Sequence, residues 1–548
     1  MGAGPSGLVT IKELLAEGLE PVCFEKGRDI GGVFRFDEAE GVVWESCRLT
    51  SSGIITAFSD FPVSQARTGH MRVGEYSNYL REYCEKFDLL RYIRFGMTVK
   101  SVSLDSNGKW RVRVDDSRSA REELFDAVAI CSGLHQHPHT PSFPGQAGFT
   151  GELMHGAQYR RPDQVRDKRV LIVGAGESGA DVTAEAAAHA AETVLSLRRG
   201  VAVQPRIAFG QPLDLQVSRL QNSSPHWVFQ TRNPLDDGKR RVYRWAFLPL
   251  VLVDKFLQLC FRFFWNLLPQ LWDSSLAAVR SNLRTRKLIR ELLKTSHGTI
   301  DEQFGTKTDD FVRALADGRC RLAPAIARFD GNRVIFQDES EFTPEVVIFC
   351  TGFDARIPFL DASIASAPRF LNTFNPEAGA NLAFIGLVRP AIGAIPPLAE
   401  LQARWFALLQ SARTRLPSKA EMNASIAHWQ ERRAHIFRAI RGRLDHLVDY
   451  TFCCDALASQ IGCKPALSDI QKESRRFRRR FIAGPFVAAQ YRLVGPHAQP
   501  ELARAVIESV PMIHPWPNFA NFYLRWTLSS ILHRIGGPAY APNLELEQ

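Results

Sequence analysis

Residues 170–179 read Val170-Leu-Ile-Val-Gly174-Ala-Gly176-Glu-Ser178-Gly179: four apolar β-formers run into a glycine triplet. An alanine-rich helix is expected next, from Ala180 to Ala191, and then a strand from Thr193 to Leu197 that ends in Arg198-Arg199. A glycine triplet alone arises by chance in a chain with 38 glycines, so the strand before it and the helix after it carry the meaning. Together they form a pyrophosphate cradle, because backbone N–H groups converge on the ligand and the helix dipole favours its charge. A 2′-phosphate calls for a cation at the end of the second strand, where a free ribose calls for a carboxylate. Two arginines there point to NADPH, although arginine pairs also occur on solvated strand edges.

A second triplet opens the chain, Gly2-Ala-Gly4-Pro-Ser-Gly7, followed by a helix with Leu8, Ile11, Leu14 and Leu15 on one face. A short strand, Pro21 to Phe24, delivers Glu25, eighteen residues after Gly7 and near the spacing of a ribose-binding acid. In Gly31-Gly32-Val33-Phe34, paired glycines let the backbone approach the same dinucleotide. The strand that should precede Gly2 is missing, so this loop is expected to lack its anchor, and a truncated start is suspected.

The composition excludes little. At 548 residues the chain fits two or three domains. A net charge of +10 admits nucleic acid, an anionic membrane or an anionic cofactor. Ten cysteines without a CxxC pair argue against a disulfide framework, a zinc site or a disulfide reductase. No metal site is expected, and His135-Gln-His137-Pro-His139 reads as a solvent-facing loop. No secretory signal is visible, so the expected location is intracellular: cytoplasmic, or attached to the cytoplasmic membrane or endoplasmic reticulum. Trp245–Pro269 is apolar and aromatic but broken by Asp254-Lys255 and Arg262, too short a run to span a bilayer. It reads equally as an interfacial helix or a buried one, as does the tail Trp516–Leu532. The run Arg475 to Arg480 stands without any nucleic-acid module and reads as a solvated or lipid-headgroup face.

Between the two triplets lies Phe149-x-Gly151-x₃-His155-x₃-Tyr159. With both glycine loops and Gly31-Gly32, this run resembles the flavin-containing monooxygenases, class B enzymes of the dimethylaniline N-oxide-forming type. Further matches are Phe58-Ser-Asp-Phe-Pro62, Cys131-Ser-Gly133, Cys350-Thr351-Gly352-Phe353, Gly393 to Pro396, Leu401-Gln402-Ala-Arg-Trp405 and Tyr491 to Pro496. Tyr159 stands where Baeyer–Villiger relatives carry Trp-Pro.

The resemblance implies an α/β fold of two nested Rossmann-like dinucleotide-binding domains, for FAD and NADPH, with a helical insertion and a C-terminal tail. Residues 1–160 and 350–470 would form the FAD domain, and 161–349 the NADPH domain with an insertion at about 205–300. Residues 471–548 would form a C-terminal region with a membrane-associating tail. FAD would be held by Gly2, Gly4, Gly7, Glu25, Gly31, Gly32, Val33, Phe34, Thr351, Gly352 and Gln402. NADPH would be held by Gly174, Gly176, Ser178, Gly179, Arg198 and Arg199. Phe149, Gly151, His155 and Tyr159 would position the domains, with a catalytic His155 as the competing view. The reaction would pass from NADPH to flavin to dioxygen, and a C4a-hydroperoxyflavin would oxygenate a small lipophilic amine or thioether. The cofactors carry that chemistry, so no catalytic triad is needed. At the flavin-facing asparagine common in the family this chain has Thr50, whose hydroxyl cannot reproduce an amide's donor and acceptor pair. That leaves open a leaky NADPH oxidase, beside Baeyer–Villiger oxygenation of ketones and an inactive nucleotide-binding protein. No nucleic-acid partner is expected.

Overall fold

The computed structural model describes residues 1–116, 119–208, 210–219, 276–296, 305–390, 392–436 and 446–512. Trp245–Pro269 and Trp516–Leu532 lie outside the described residues. The chain divides into two compact units, Met1–Arg206 with Thr285–Gly462, and Ile207–Arg284 with Cys463–Gln548.

The first unit contains both glycine loops. Helix α1 (Pro5–Ala16) starts at Gly4 with proline at its first position, where a missing N–H costs nothing. Strand β1 (Cys23–Phe24) pairs in parallel with β2 (Ile93–Arg94), and α2 (Val73–Lys86) precedes β2 in the chain. An antiparallel meander, β3 (Thr98–Leu104), β4 (Trp110–Asp115) and β5 (Ala120–Phe125), turns Trp110, Val112 and Val114 into the core at every second residue. Strand β6 (Val128–Ile130) pairs in parallel with β12 (Leu382–Phe384).

Between β1 and β6 stand Met1 and Gly2. Gly2 N–H donates to Phe24 O at 2.8 Å, Cys131 N–H donates to Met1 O at 3.0 Å, and the Met1 amino group donates to Ala129 O at 2.9 Å. This corrects the expected loss of an anchor: the first loop is bonded on both sides through two residues of backbone.

The second sheet is wholly parallel. It is built from β7 (Glu152–His155), β8 (Arg169–Val173), β9 (Glu192–Ser196), β10 (Arg321–Ala323) and β11 (Val346–Phe349), in the order β10-β9-β8-β11-β7. Val170 and Ile172 enter the core on one face, and Leu171 joins Phe149, Phe329 and Phe336 on the other. Burial on both faces explains the unbroken apolar run. Helix α3 (Glu177–His189) begins three residues before the expected Ala180, because Gly176 O already accepts from Ala180 N–H at 2.9 Å. It stops short of Ala191, whose N–H turns to Lys168 O and leads the chain into β9.

Helix α4 (Ile395–Gln410) packs on α1 and is buried along most of its length. Five charged side chains meet there. Lys12 Nζ lies 3.0 Å from Glu13 and pairs with Asp60, while Arg404 lies 3.3 Å from Glu400 and 4.0 Å from Glu13. Ser59 N–H donates to Glu400 at 2.8 Å. Glu13, Asp60 and Glu400 converge within 4.8 Å, but Lys12 and Arg404 already balance most of their charge, and we assign the cluster a structural role.

In the second unit, Ser474 caps α5 (Arg475–Ala483) by accepting from Phe477 N–H at 3.1 Å. The Arg219 guanidinium lies 4.8–5.5 Å from the ring centres of Phe481, Phe486 and Tyr491 and donates to Gln490 at 2.6 Å. No described helix is long and apolar enough to cross a membrane. The nine cysteines among the described residues are free thiols.

Candidate functional site

The two glycine loops share one construction. Gly2 and Gly174 adopt φ of +95° and +98°, open to glycine at no steric cost. A Cβ on either would come within 2.7 Å of Cys131 O or 2.9 Å of Cys350 O. A Cβ on Gly7 would lie 1.8 Å from Gly2 O, and one on Gly179 would lie 2.0 Å from Gly174 O. The third glycine therefore lets each helix start against its own loop, which brings the helix N-terminus close to where phosphates would sit. Burial pushes the Cys350 thiol up to about 12 and raises Cys131 as well, so neither offers a thiolate at its loop.

Around the first loop, Gly31 N–H donates to Ala3 O at 3.0 Å, and Gly4 lies against Gly32. Val33 and Phe34 form the following turn, with the Phe34 ring edge-on to Tyr76 at 4.8 Å. Glu25 is buried, and its carboxylate accepts from Ala3 N–H at 2.6 Å and Gly27 N–H at 2.7 Å. It fixes the loop directly, and a carboxylate's remaining lone pairs stay open to a ribose. Ser132 Oγ, buried and without a partner among the described residues, belongs to the residue packed beside Gly2.

At the second loop, Ser178 is exposed on the first turn of α3, and Arg198 and Arg199 are exposed just past β9. Sequence reasoning missed the strap from Thr306 to Thr308. Thr306 Oγ1 donates to Ala175 O at 2.8 Å, Lys307 N–H donates to Glu177 at 3.0 Å, and Thr308 lies 3.3 Å from Arg206. Arg206 in turn holds Asp181 on α3 at 2.6 Å. No spacing in the sequence signals this strap.

Phe149 packs edge-on to Phe329, and Gly151 leaves room for the Phe149 ring and Glu345 O. His155 closes β7. Its Nδ1 accepts from Ala157 N–H at 3.0 Å, which leaves Nε2–H to donate to Gly352 O at 3.0 Å. Burial holds its pKa below the ordinary histidine value, so the neutral ring performs both tasks. Tyr159 is fully buried and donates to Glu185 at 2.7 Å, with burial pushing the phenol up. Both ring nitrogens of His155 are thus engaged by the protein, and the two residues do not share a helical face.

Three expectations need correction. Gln402 is fully buried and serves the protein: its Oε1 accepts from Gly386 N–H at 2.8 Å and its Nε2 donates to Thr373 at 3.0 Å. It thereby sets Gly386 against Ser6 of the first loop, and Gly386, two residues after β12, is the residue that sequence reasoning passed over. The Thr351 hydroxyl donates to His139 O and so serves the protein. His135 is half-buried rather than solvent-facing: it packs edge-on to Phe353 at 5.1 Å, and burial depresses its pKa to about 3. Thr50 is half-buried, ahead of Ser52, which caps the turn of helix at Gly53–Thr56.

Two glycine cradles, each with a helix start, fit the pyrophosphates of two dinucleotides. The comparisons agree. The family model described as flavin-binding monooxygenase-like matches residues 1–226 and 247–512. A 4-hydroxybenzoate brominase (decarboxylating) of Pseudoalteromonas luteoviolacea is 33% identical over 98% of this chain and 97% of its own length. Human flavin-containing monooxygenase 2 is 32% identical over 90% of this chain and 88% of its own. Among solved structures, an oxidized steroid monooxygenase bound to NADP aligns with a TM-score of 0.59 at 20% identity, over 84% of this chain and 96% of that one. This last likeness speaks for the fold. The chain is thus a member of the flavin-binding monooxygenase-like family, an enzyme that depends on FAD and NADPH.

Proposed function

We propose that this monooxygenase transfers one oxygen atom to a soft, lipophilic nucleophile, a tertiary amine nitrogen or a thioether sulfur. Two electrons from NADPH reduce the other oxygen atom to water. Reduced flavin, when bound, supplies the activation of dioxygen. The protein binds, orients and shields. The observation that carries this reading is that His155, beside Gly352, has both ring nitrogens engaged by backbone, Nδ1 by Ala157 N–H and Nε2 by Gly352 O, and so is not placed to act as a base. His155 and His135 are both held uncharged by burial, and both rings of that pair pack on Phe353. Attack by a lone pair on an electrophilic oxygen asks for no base to deprotonate the substrate, in keeping with such a site. Tyr159, buried where Baeyer–Villiger relatives have Trp-Pro, supports amine or sulfur oxygenation over ketone insertion.

A second reading rests on the brominases. Two of them match along 97–98% of this chain, whereas the flavin-containing monooxygenase 2 and 5 relatives match along 90%. A halide is also a soft nucleophile, and its oxygenation would give a hypohalous acid.

The deciding experiment supplies the full-length flavoprotein with NADPH, air and, in turn, an aryl methyl thioether, a cyclic ketone, and bromide with a phenolic acid. Sulfoxide as the main product supports the first reading and a brominated phenol the second. A lactone, or peroxide in place of any oxygenated product, overturns both.

A further inference from the structure

The segment that leads to Thr50 is held at two points by one face of α3. Asp181 and Glu185 stand four residues apart on that helix and are neighbours on its surface. Glu185 accepts from the Ser46 hydroxyl directly, and from Tyr159 at 2.7 Å. Asp181 holds the Arg206 guanidinium at 2.6 Å, and the Arg206 backbone passes the hold onward through a histidine.

That histidine is His70, half-buried between Gly69 and Met71. Its Nε2 lies 3.2 Å from Arg206 O, and its Nδ1 lies 3.2 Å from Leu49 O, the carbonyl of the peptide group that joins Leu49 to Thr50. A carbonyl oxygen can only accept, so the ring is the donor in each bond it makes. Backbone bonds tie the stretch around His70 to both sides of Thr50: Leu49 N–H donates to Met71 O at 2.9 Å, and Gly53 N–H donates to Gly69 O at 2.8 Å. At the other end, the Arg206 guanidinium also reaches Thr308, at 3.3 Å, on the strap whose Thr306 donates to Ala175 O inside the second loop. A run of hydrogen bonds therefore leads from the second glycine loop through the strap, Arg206 and His70 to the peptide beside Thr50. No motif in the sequence singles out His70.

We infer that His70 is a positioning residue, which holds the peptide at Thr50 in register with the NADPH cradle. Supporting contacts of this kind decide whether a site keeps its geometry, because a small misplacement costs much of the rate. Without the hold, the two electrons of NADPH leave with dioxygen: NADPH, a proton and O2 give NADP+ and hydrogen peroxide. The inference rests on the family's NADPH- and dioxygen-dependent chemistry and on Thr50 as the flavin-facing position, and not on which nucleophile is oxygenated.

The test leaves substrate out, so that it can be read even if the oxygenation reading fails. Full-length, flavin-loaded protein is given NADPH in air, and peroxide release is measured together with the KM for NADPH. His70→Leu removes both bonds, and His70→Gln keeps a donor for one. Release should rise about fivefold for each bond lost, while the KM for NADPH and the flavin content stay at the wild-type values. Ser46→Ala, at the exposed hold on the same segment, should raise release by less. Wild-type release by both His70 variants would overturn the inference. So would a KM that rises in step with release, which would make His70 part of NADPH binding, or loss of flavin from both variants, which would make it a residue of the fold. Release that rises as expected in a protein that oxygenates none of the nucleophiles offered would uphold the inference and sink the reading of function alone.

Discussion

Set side by side, the two glycine loops are both flanked by parallel strands, which form one five-stranded sheet around the second and two separate pairs around the first. In the second, β8 supplies five residues between β9 and β11; in the first, the place between β1 and β6 is held by Met1 and Gly2. The bonds nevertheless correspond. Gly174 N–H donates to Ser196 O as Gly2 does to Phe24 O, and Cys350 N–H donates to Val173 O as Cys131 does to Met1 O. The loops then reproduce each other's glycine contacts to within about 0.2 Å. The shape of such a cradle is thus fixed by the carbonyl of the neighbouring strand and the first turn of helix.

The sharpest way to break the correspondence is to fill one cradle at a time. Gly7→Ala would place a methyl group 1.8 Å from a carbonyl, and Gly179→Ala one at 2.0 Å. Overpacking worth about 3 kcal/mol should weaken each site roughly a hundredfold. The first variant should purify without its yellow colour, and the second should stay yellow while its reduction by NADPH slows. Loss of FAD from both, or from neither, would mean that the loops do not divide the cofactors as proposed.

What ends the second strand is the next difference, Glu25 in one sheet and Arg198-Arg199 in the other. Removing both arginines should raise the KM for NADPH by roughly 10–100-fold, the worth of a charge-assisted hydrogen bond, and leave NADH use unchanged. Equal effects on both nucleotides would remove the arginines from the 2′-phosphate.

Acid should loosen the crossover beside the second loop. His155 and His135 have folded pKa values below the unfolded value of 6.5, so the folded state binds fewer protons. Their contribution is fully present above pH 6.5 and is lost as pH falls, by up to about 1.4 kcal/mol per histidine per pH unit. Urea unfolding at pH 7.5 and 5.5 should show this loss, and His155→Gln should reduce it. The smallest expected effect is at Thr50, where Thr50→Asn should lower peroxide yield per NADPH about fivefold, one hydrogen bond's worth. An unchanged yield would dismiss the position.

Much of this was legible in the chain. Val346–Phe349 reads as a buried strand and is one, because a parallel strand covered on both faces needs no polar alternation. The boundaries of α3 shifted because backbone bonds at Gly176 and Lys168, which leave no mark on composition, decide where a helix starts and stops. Gln402 was assigned to the cofactor from motif position alone, and only the distance to Gly386 reveals its work on the protein. The strap at Thr306 and the charged cluster under α1 join residues far apart in sequence, where periodicity says nothing.

That cluster has a bearing on biosynthesis. The buried charges of α1 and the turn at Ser59 are balanced from α4, with Glu400 standing 341 residues beyond Ser59. Contacts of such long range close late and slowly. A ribosome therefore delivers the first loop long before its supporting helix, and flavin capture should wait until α4 has emerged; nascent chains arrested short of residue 395 should emerge colourless.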